Sequence, residues 1–311
     1  MAENDAGTFV GLPRAKLEDL SRASVVVLGA SEASPYKPGQ PSHSAGAPAA
    51  LRKASAEFGG MLSQVDFDLG TTIFPDPDNK RGAVDAGDVP TDPSDPEGNR
   101  ARIEQAVRLV LDAGAVPVML GGDDSVPIPM LKAYEGHGPL VILHIDAHVD
   151  WGDVIQGNPL GYGSPMRRAS EFSWVRGMVQ VGIRGLGSGG AWQHDDARAW
   201  GSRMVTSQDL HARGLEAALD HIPQGSRCFV SIDVDGLDPA VLPAVAMPTP
   251  GGLTYEDVIG LLRGAAARAS LAGLALVEYV PSRDDRLGLS ALTAARIVAV
   301  ALGLMVGAQA T

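Results

Sequence analysis

The chain has 311 residues, of which 45% are hydrophobic, and a formal net charge of −12. A chain of this length can bury a substantial core. The acidic balance, without a basic tract interleaved with aromatic residues, excludes nucleic acid as the expected partner. No apolar run approaches the roughly 18 residues of a membrane span, and Met1 to Gly7 lacks the basic and apolar regions of a signal peptide. We therefore expect a cytoplasmic protein without a membrane partner.

Short runs of β-branched residues alternate with stretches of helical periodicity along the chain. In chain order, the predicted strands are Ser24–Gly29, Val116–Leu120, Leu140–Ile145, Met178–Ile183, Arg227–Ile232 and Leu274–Val277. The predicted helices are Arg102–Asp112, Leu215–His221, Tyr255–Ala269 and Ala291–Leu304. Continuous apolar strands separated by helices are typical of a parallel sheet that is covered on both faces. In such sheets, ligands bind beyond the carboxyl ends of the strands.

Other segments are rich in small residues or in proline. Ala33–Pro48 and Pro75–Gly98 are predicted to be long surface loops. Trp151–Arg168 directly follows an acid-rich strand end and is predicted to line a pocket there. The alanine-rich segment Ala291–Ala310 is interrupted by polar residues, which favours a packed terminal helix over a membrane span. The one cysteine, Cys228, lies in an apolar run, so we expect a buried structural thiol.

Two acid-rich segments each follow an apolar run: 144–150 (HIDAHVD) and 231–239 (SIDVDGLDP). Their alternating polar residues are Asp146, His148 and Asp150 in the first and Asp233 and Asp235 in the second. Residues two apart on an extended strand project to one face. A lone pair of acids at a strand end is more often a loop cap or a solvated turn, but two such sets favour a metal site, because buried carboxylates need neutralising cations. Oxygen ligands with few imidazoles suit manganese-like ions.

In their order and separation, these two motifs resemble those of the ureohydrolases, the arginase and agmatinase family. Further similar segments, in chain order, are TFVGLP (8–13), DAGD (85–88), GGDDS (121–125), VGIRG (181–185), PGGL (250–253) and EYVP (278–281). The resemblance, on the agmatinase-like branch, implies a three-layer α/β/α fold around a mostly parallel eight-stranded sheet. It also implies one domain over residues 1–311, with 1–22 as an N-terminal extension packed on it, and assembly as trimers or hexamers.

The resemblance also implies a chemistry for these residues. Two divalent ions, with manganese expected first and nickel as the alternative, hold a hydroxide that attacks a guanidinium carbon and releases urea and an amine. By position, the bridging carboxylates would be Asp146 and Asp233, the further ligands Asp150, His148 and Asp235, and the acid that pairs with the guanidinium Glu278. Asp150 would also help to move a proton to the leaving nitrogen.

The sequence departs from the family pattern at Asp124, where the first metal ligand is normally a histidine after Gly-Gly-Asp. Three interpretations stay open for Asp124: an alternative ligand, a group beside a weakened metal site, or a remnant of a lost site. An extra anionic ligand would lower the Lewis acidity of the ions and favour manganese or magnesium. It would also attract a cationic substrate more strongly.

A second departure is Tyr162, where the family often has a histidine before Gly-Thr/Ser-Pro. Tyrosine, with an ordinary pKa near 10, is a poorer proton shuttle at neutral pH, so Tyr162 either orients substrate or closes the pocket, or it packs the loop. Trp151 either stacks on the cationic substrate or is a packing residue. The segment 242–248 (LPAVAMP) is apolar where relatives tend to be small and polar.

The leading hypothesis is a dimetal hydrolase of a small cationic guanidino compound other than arginine. The candidates are an agmatine-like amine, a guanidino acid, guanidine itself, or an alkylated guanidine or biguanide. The alternative is a weakly active or silent subunit that partners an active homologous chain in a hetero-oligomer. Asp124 and Tyr162 motivate this alternative, whereas retention of the other ligands and of Glu278 opposes it.

Overall fold

Eight strands form one sheet in a computed structural model, which describes residues 7–74, 82–187 and 189–308. The strands are β1 (Val25–Ala30), β2 (Ala83–Asp88), β3 (Val116–Gly121), β4 (Leu140–Ile145), β5 (Val175–Ile183), β6 (Arg203–Thr206), β7 (Arg227–Asp233) and β8 (Ser270–Val277). They lie in the order β2-β1-β3-β8-β7-β4-β5-β6, and every adjacent pair is parallel. The predicted eight-stranded α/β fold is confirmed.

Helices cover both faces of this sheet. They are α1 (Ala47–Gly59), α2 (Pro96–Asp112), α3 (Pro127–Lys132), α4 (Pro165–Ser170), α5 (Ala191–Trp200), α6 (Ser207–Arg213), α7 (Glu216–Leu219), α8 (Tyr255–Arg268) and α9 (Leu289–Ala308). Successive side chains of a strand point to opposite faces. Val25 and Val27 of β1 therefore join the core with α1, α8 and α9, whereas Val26 and Leu28 join the core with α2, α3 and α4. Two buried cores on one sheet produce the three layers.

Two strands lack a signal in the sequence, and both lie at the edges of the sheet. β2 (AVDAGD) alternates buried and half-buried residues, and β6 (RMVT) has only four residues. Edge strands are commonly short and polar because one side of the strand faces solvent. The surface loop predicted for Pro75–Gly98 is wrong over 83–88 and 96–98, which form β2 and the start of α2; 75–81 lie outside the described residues.

The terminal helix α9 is predominantly apolar, with Thr293 and Arg296 as interruptions. By length and composition alone it could cross a membrane, and it is the one such helix among the described residues. Its side chains are buried in the core that it shares with α1 and α8. Burial in the protein core explains why α9 is so rich in apolar residues, so the predicted packed terminal helix is confirmed.

The register of the central strands brings their carboxyl ends to one place. Leu120 of β3 pairs with Leu276 of β8, and Ile232 of β7 pairs with both Leu276 and Ile145 of β4. Residues that follow these positions on neighbouring strands therefore emerge together at one edge of the sheet. Four of the motifs found in the sequence begin or continue at that edge: GGDDS, HIDAHVD, SIDVDGLDP and EYVP.

Gly122, directly after β3, lies against the loop after β1. A Cβ atom at this position would lie 1.7 Å from the backbone oxygen of Ser31. We expect Gly122→Ala to lower the free energy of unfolding by about 1–3 kcal/mol, because a side chain is forced into packed backbone. Gly60→Ala is the matched control, since a Cβ there meets no atom within 4 Å and its φ is −77°. Equal unfolding midpoints in urea for both variants would contradict this prediction.

Candidate metal centre

The acids of the first motif are gathered by a loop. β4 ends at Ile145, and Asp146, His148 and Asp150 lie in the irregular segment after it. The expectation that an extended strand aligns them is therefore wrong. Because the backbone turns after Ile145, side chains two and four residues apart can point towards one place. On a straight strand they would share a face but run parallel to one another.

The second motif is also bent, and a half-buried arginine holds its loop. Asp233 is the last residue of β7, and a 3-10 helix follows at Val234–Gly236. The Arg184 guanidinium donates hydrogen bonds to the carbonyl oxygens of Asp235 at 2.8 Å, Gly236 at 3.0 Å and Leu237 at 3.0 Å. This explains the arginine in the VGIRG segment: five donors in a fixed fork can fix several carbonyls at once.

Backbone strain is concentrated at two of the predicted site residues. Asp150 has a φ of 45° and Glu278 a φ of 68°. Besides these two, Val10 and Gln156 are the other non-glycine residues with positive φ in the described part of the chain. Such conformations cost of order 1–3 kcal/mol each and are concentrated at functional sites. The strain therefore indicates that the directions of the Asp150 and Glu278 side chains matter for the site.

Two groups of buried ligand atoms meet at one carboxylate. The first group is Asp124, His144, Asp146 and Asp150, and the second is Asp146, His148 and Asp235; within each, the ligand atoms lie within 4.8 Å of one another. His148 Nδ1 lies 3.3 Å from Asp146 Oδ1 and 3.1 Å from Asp235 Oδ2. Because Asp146 belongs to both groups, the arrangement suits two cations that share one ligand.

The raised pKa values of the buried acids indicate that this region lacks compensating positive charge. Burial, and then repulsion between acids, raises the pKa of Asp124, Asp150 and Asp233 well above the ordinary value. Burial and the neighbouring Asp235 raise the pKa of Asp146 to about 6. Burial opposes a charge on His148, yet its hydrogen bonds to Asp146 and Asp235 raise its pKa to about 11. Without metal, these side chains therefore tend to hold protons. Bound divalent cations would replace those protons.

Several of these polar atoms also lack hydrogen bonds. Both carboxylate oxygens of Asp124, Oδ2 of Asp146 and Nε2 of His148 are buried without a hydrogen-bond partner among the described residues. Buried polar atoms are almost always satisfied in folded proteins. Unsatisfied oxygens and an imidazole nitrogen in one region are a donor set that fits hard divalent cations.

Asp233 lies outside the two ligand groups but faces the same region. It is buried, and its Oδ1 accepts the backbone N–H of Asp235 at 2.8 Å. After burial, the charges that raise its pKa come from Asp235, Asp146, Glu278 and Asp124. The structure therefore groups Asp124, Asp146, Asp150 and Asp235 with His148 or His144, whereas Asp233, predicted as a bridging ligand, lies nearby in neither group.

His144 is a site residue that the sequence argument did not select, although it begins the HIDAHVD motif. Gln180 Nε2 donates to the Val149 carbonyl at 2.8 Å and lies 3.1 Å from His144 Nδ1. Since an amide nitrogen only donates, Nδ1 accepts and the proton is on Nε2. Burial lowers the pKa of His144 to about 4, so the ring is neutral.

The Nε2–H group of His144 faces two of the acids. It lies 2.9 Å from Asp146 Oδ2, without the alignment of a hydrogen bond, and 3.9 Å from Asp150 Oδ2. Ser202 Oγ donates to Gln180 Oε1 at 2.8 Å, which fixes the amide in turn. In this tautomer the ring presents an N–H rather than a lone pair to the acids, so it is not a cation ligand in this form.

Glu278 lies on the other side of Asp124 and is already paired. Its Oε1 accepts the backbone N–H of Asp124 at 2.9 Å, and its Oε2 lies 2.5 Å from His43 Nε2. His43 belongs to the segment Ala33–Pro48, which the sequence argument treated only as a surface loop. A lone histidine in a loop of small residues gives no signal, because only the fold brings it to Glu278.

Aromatic rings stand beside this pair. The Tyr162 ring meets His43 edge-on at 5.4 Å and Tyr36 at 4.2 Å between centroids. Burial and then the charge of Glu278 raise the pKa of Tyr162, so its hydroxyl stays protonated at neutral pH and it faces the acid. Tyr36 was not predicted; its hydroxyl accepts the backbone N–H of Gly163 at 3.0 Å.

Trp151 points into the protein. It is 1% exposed, its indole N–H donates to Asp196 Oδ2 at 2.7 Å, and its ring lies 6.0 Å from that of Trp200. These contacts favour the packing interpretation of Trp151 over stacking on a substrate. The apolar residues Leu242, Ala244 and Val245 are likewise buried in the core, so they do not form a substrate-facing wall.

A cavity of about 440 Å³ opens beside Asp150. Trp151, Ile155, Gly163 and Gln193 contribute to its lining, together with the glycines at 187, 189 and 190. Its described lining contains no lysine or arginine, so a bound molecule meets one acid, the Gln193 amide, apolar side chains and backbone.

Comparison with known proteins identifies the family. A model described as the arginase family matches residues 23–303. The chain belongs to the arginase family. It is 35% identical to proclavaminate amidinohydrolase from Streptomyces clavuligerus over 77% of this chain and 75% of that protein. The solved structure of that enzyme superposes with a TM-score of 0.81 at 31% identity, covering 97% of both chains.

Other arginase-family relatives match less of their own length. Arginase 1, mitochondrial, from Arabidopsis thaliana is 33% identical over 70% of this chain and 65% of that protein. Guanidino acid hydrolase, mitochondrial, from Homo sapiens is 33% identical over 69% of this chain and 62% of that protein. The chain thus spans a little under two thirds of these two relatives.

The departure from the arginase-family pattern at Asp124 leads to a prediction. Asp124→Asn keeps the shape of the side chain and removes one buried acid. We expect the metal-free protein to gain about 1 kcal/mol of unfolding free energy, because repulsion with Asp150 and Asp146 is relieved, and the bound divalent metal per chain to fall. Urea denaturation with chelator and metal analysis measure the two effects.

The matched control for this variant is Asp112→Asn. Asp112 is an exposed acid that pairs with His137 near the surface. Both stability and metal content should stay within the range of ordinary surface substitutions, about ±0.5 kcal/mol. Unchanged metal content in Asp124→Asn would remove Asp124 from the ligand set.

Proposed function

We propose that this arginase-family chain is a dimetal ureohydrolase that cleaves a guanidino compound to urea and an amine. The observation that carries the proposal is the pair of buried ligand groups that share Asp146, placed beside the strained carboxylate Glu278. Relatives named guanidinopropionase and N(1)-aminopropylagmatine ureohydrolase are 36% identical to the chain. Their names support a guanidino substrate here.

The proposed ligands are the acids and the imidazole that the fold brings together: Asp124, Asp146, His148, Asp150, Asp233 and Asp235. Manganese is the expected ion and nickel the alternative, because the set is rich in oxygen. When bound, two such ions lower the pKa of water and so supply hydroxide at neutral pH. Of the three interpretations of Asp124, its two unsatisfied oxygens support direct ligation.

The chain's own side chains bind and orient the substrate in this proposal. The Glu278 carboxylate pairs with the planar guanidinium through charged hydrogen bonds, which fix the direction of the central carbon. Asp150, between the ligand group and the cavity, holds a proton for the leaving nitrogen. Tyr162, whose hydroxyl stays protonated, closes the pocket beside Glu278 rather than shuttling protons.

The cavity beside Asp150 bears on which guanidino compound binds. An α-carboxylate would find no lysine or arginine in its described lining, and Asp150 would repel it. Agmatine-like amines, guanidine and alkylated guanidines or biguanides therefore fit better than arginine, and a guanidino acid would depend on Gln193 and backbone N–H groups.

The second candidate is a silent subunit that pairs with an active homologous chain. Asp124 and Tyr162 still favour it, and strongly exposed apolar side chains such as Phe67, at 93%, and Leu186, at 97%, fit an assembly of either kind. A homotrimer or homohexamer is our expectation for the active enzyme. The retention of the predicted acidic ligands argues against a silent subunit. A site that had lost its function would be expected to have lost several of these acids.

Metal analysis and urea release from the purified chain separate these two candidates. We expect two ions per chain with manganese or nickel, and turnover of at least one compound in a panel of agmatine, guanidinobutyrate, guanidine, an alkylguanidine, a biguanide and arginine. Asp146→Ala should lose both ions, because Asp146 belongs to both ligand groups. Fewer than one ion per chain, with urea formed only after a homologous chain is added, would instead establish the silent subunit.

Glu278→Gln tests the guanidinium partner. The substitution keeps hydrogen-bonding atoms but removes the charge, so kcat/KM for a cationic guanidine should fall by about 100-fold or more, the value of a charged hydrogen-bonded pair. Metal content should equal that of the wild type, because Glu278 lies in neither ligand group. A Glu278→Gln enzyme with wild-type kcat/KM would refute this role.

A further inference from the structure

The carboxylate proposed to receive the guanidinium has no free oxygen in this structure. Glu278 is 6% exposed; one oxygen accepts the Asp124 N–H, and the other lies 2.5 Å from His43 Nε2. The first bond is to backbone and stays in place. Each oxygen thus already has one partner, and the His43 imidazole occupies one of the directions from which Oε2 could accept an N–H of a guanidinium.

The segment that carries His43 is anchored on both sides of it. The Ser42 N–H donates to Glu32 Oε2 at 2.6 Å, and the Ala45 N–H donates to the Ser42 carbonyl at 3.1 Å. α1 begins soon afterwards, at Ala47. These bonds fix the turn but not the imidazole, whose surface is 29% exposed and whose ring contacts only the edge of Tyr162 among the described aromatic rings.

The charges around His43 favour its protonated form. Burial lowers its pKa, but the hydrogen bond and charge of Glu278, with a further contribution from Asp123, outweigh burial and raise it; Arg283 acts in the opposite direction. Together with the neutral Tyr162 hydroxyl, these are the titratable groups that face the ring. The His43 imidazole thus occupies a hydrogen-bonding position on Glu278 that a substrate cation would need.

We propose that His43 is a specificity-determining residue that competes with the substrate guanidinium for Oε2 of Glu278 and swings towards solvent when substrate binds. This inference rests on the proposed function, because it takes Glu278 as the guanidinium partner. His43 then determines how strongly a substrate cation must bind in order to displace it from Glu278. Substrates that make further contacts near Tyr162 and Asp150 displace it, whereas a weakly bound cation does so poorly.

Binding of guanidinium chloride to the metal-loaded protein tests this competition without turnover. At pH 7, calorimetry should show guanidinium binding at least about fivefold tighter in His43→Gln and His43→Ala than in the wild type, because a charged hydrogen bond no longer has to be broken. The matched control is His211→Gln, since His211 also pairs with a carboxylate, Asp257 at 3.0 Å, but on the surface. This control should bind as the wild type does.

Two further measurements distinguish competition from a structural role. In turnover, the His43 variants should lower KM by a similar factor and change kcat less than twofold. The wild-type affinity for guanidinium should also rise with pH, since the pKa of His43 is raised and the pairing is lost as pH rises through it; His43→Gln should show a smaller rise. A purely structural residue would alter stability without this KM and pH signature.

The outcomes separate this inference from the function on which it rests. If the wild type binds guanidinium, Glu278→Gln abolishes that binding, and the His43 variants bind equally or more weakly, His43 does not compete and the inference is overturned while the function stands. If the metal-loaded wild type binds no guanidinium and Glu278→Gln changes nothing, both are overturned. Tighter binding in both His43 variants, with the His211→Gln control unchanged, supports the inference.

Discussion

Mutual repulsion among buried carboxylates is the constraint on which the rest of this structure depends. Acids from the ends of β3, β4 and β7 occupy one region, and burial and proximity raise the pKa of most of them. Burial of this kind destabilises a fold unless positive charge compensates it. The clustering of possible metal ligands and the raised pKa of His148 are two consequences of the same deficit of positive charge.

The surrounding fold counteracts that repulsion with rigid contacts. Arg184 holds the carbonyls of the loop after β7, and the Gln180 amide fixes the neutral His144 beside Asp146. Gly122 allows the backbone after β3 to lie directly against Ser31. These contacts hold the backbone and the side chains that surround the acids, and Arg184, His144 and Gly122 belong to the motifs of the sequence.

The same logic extends to the substrate side of the site. His43 pairs with Glu278, much as His148 pairs with Asp146 and Asp235. In the proposed function, a substrate cation would have to displace the His43 imidazole from Glu278. Selectivity among guanidino compounds would then follow from how well each one compensates for that displacement.

The sequence by itself determined the parallel α/β sheet, its central strands and the acids of the site, because long apolar runs and alternating carboxylates are local signals. It did not reveal the edge strands β2 and β6, since their polar faces resemble loops. Only the tertiary structure placed His43 on Glu278, 235 positions away along the chain, and turned Trp151 inward to Asp196. Such contacts join residues that are distant in sequence, and their distances depend on how whole layers pack rather than on any local pattern.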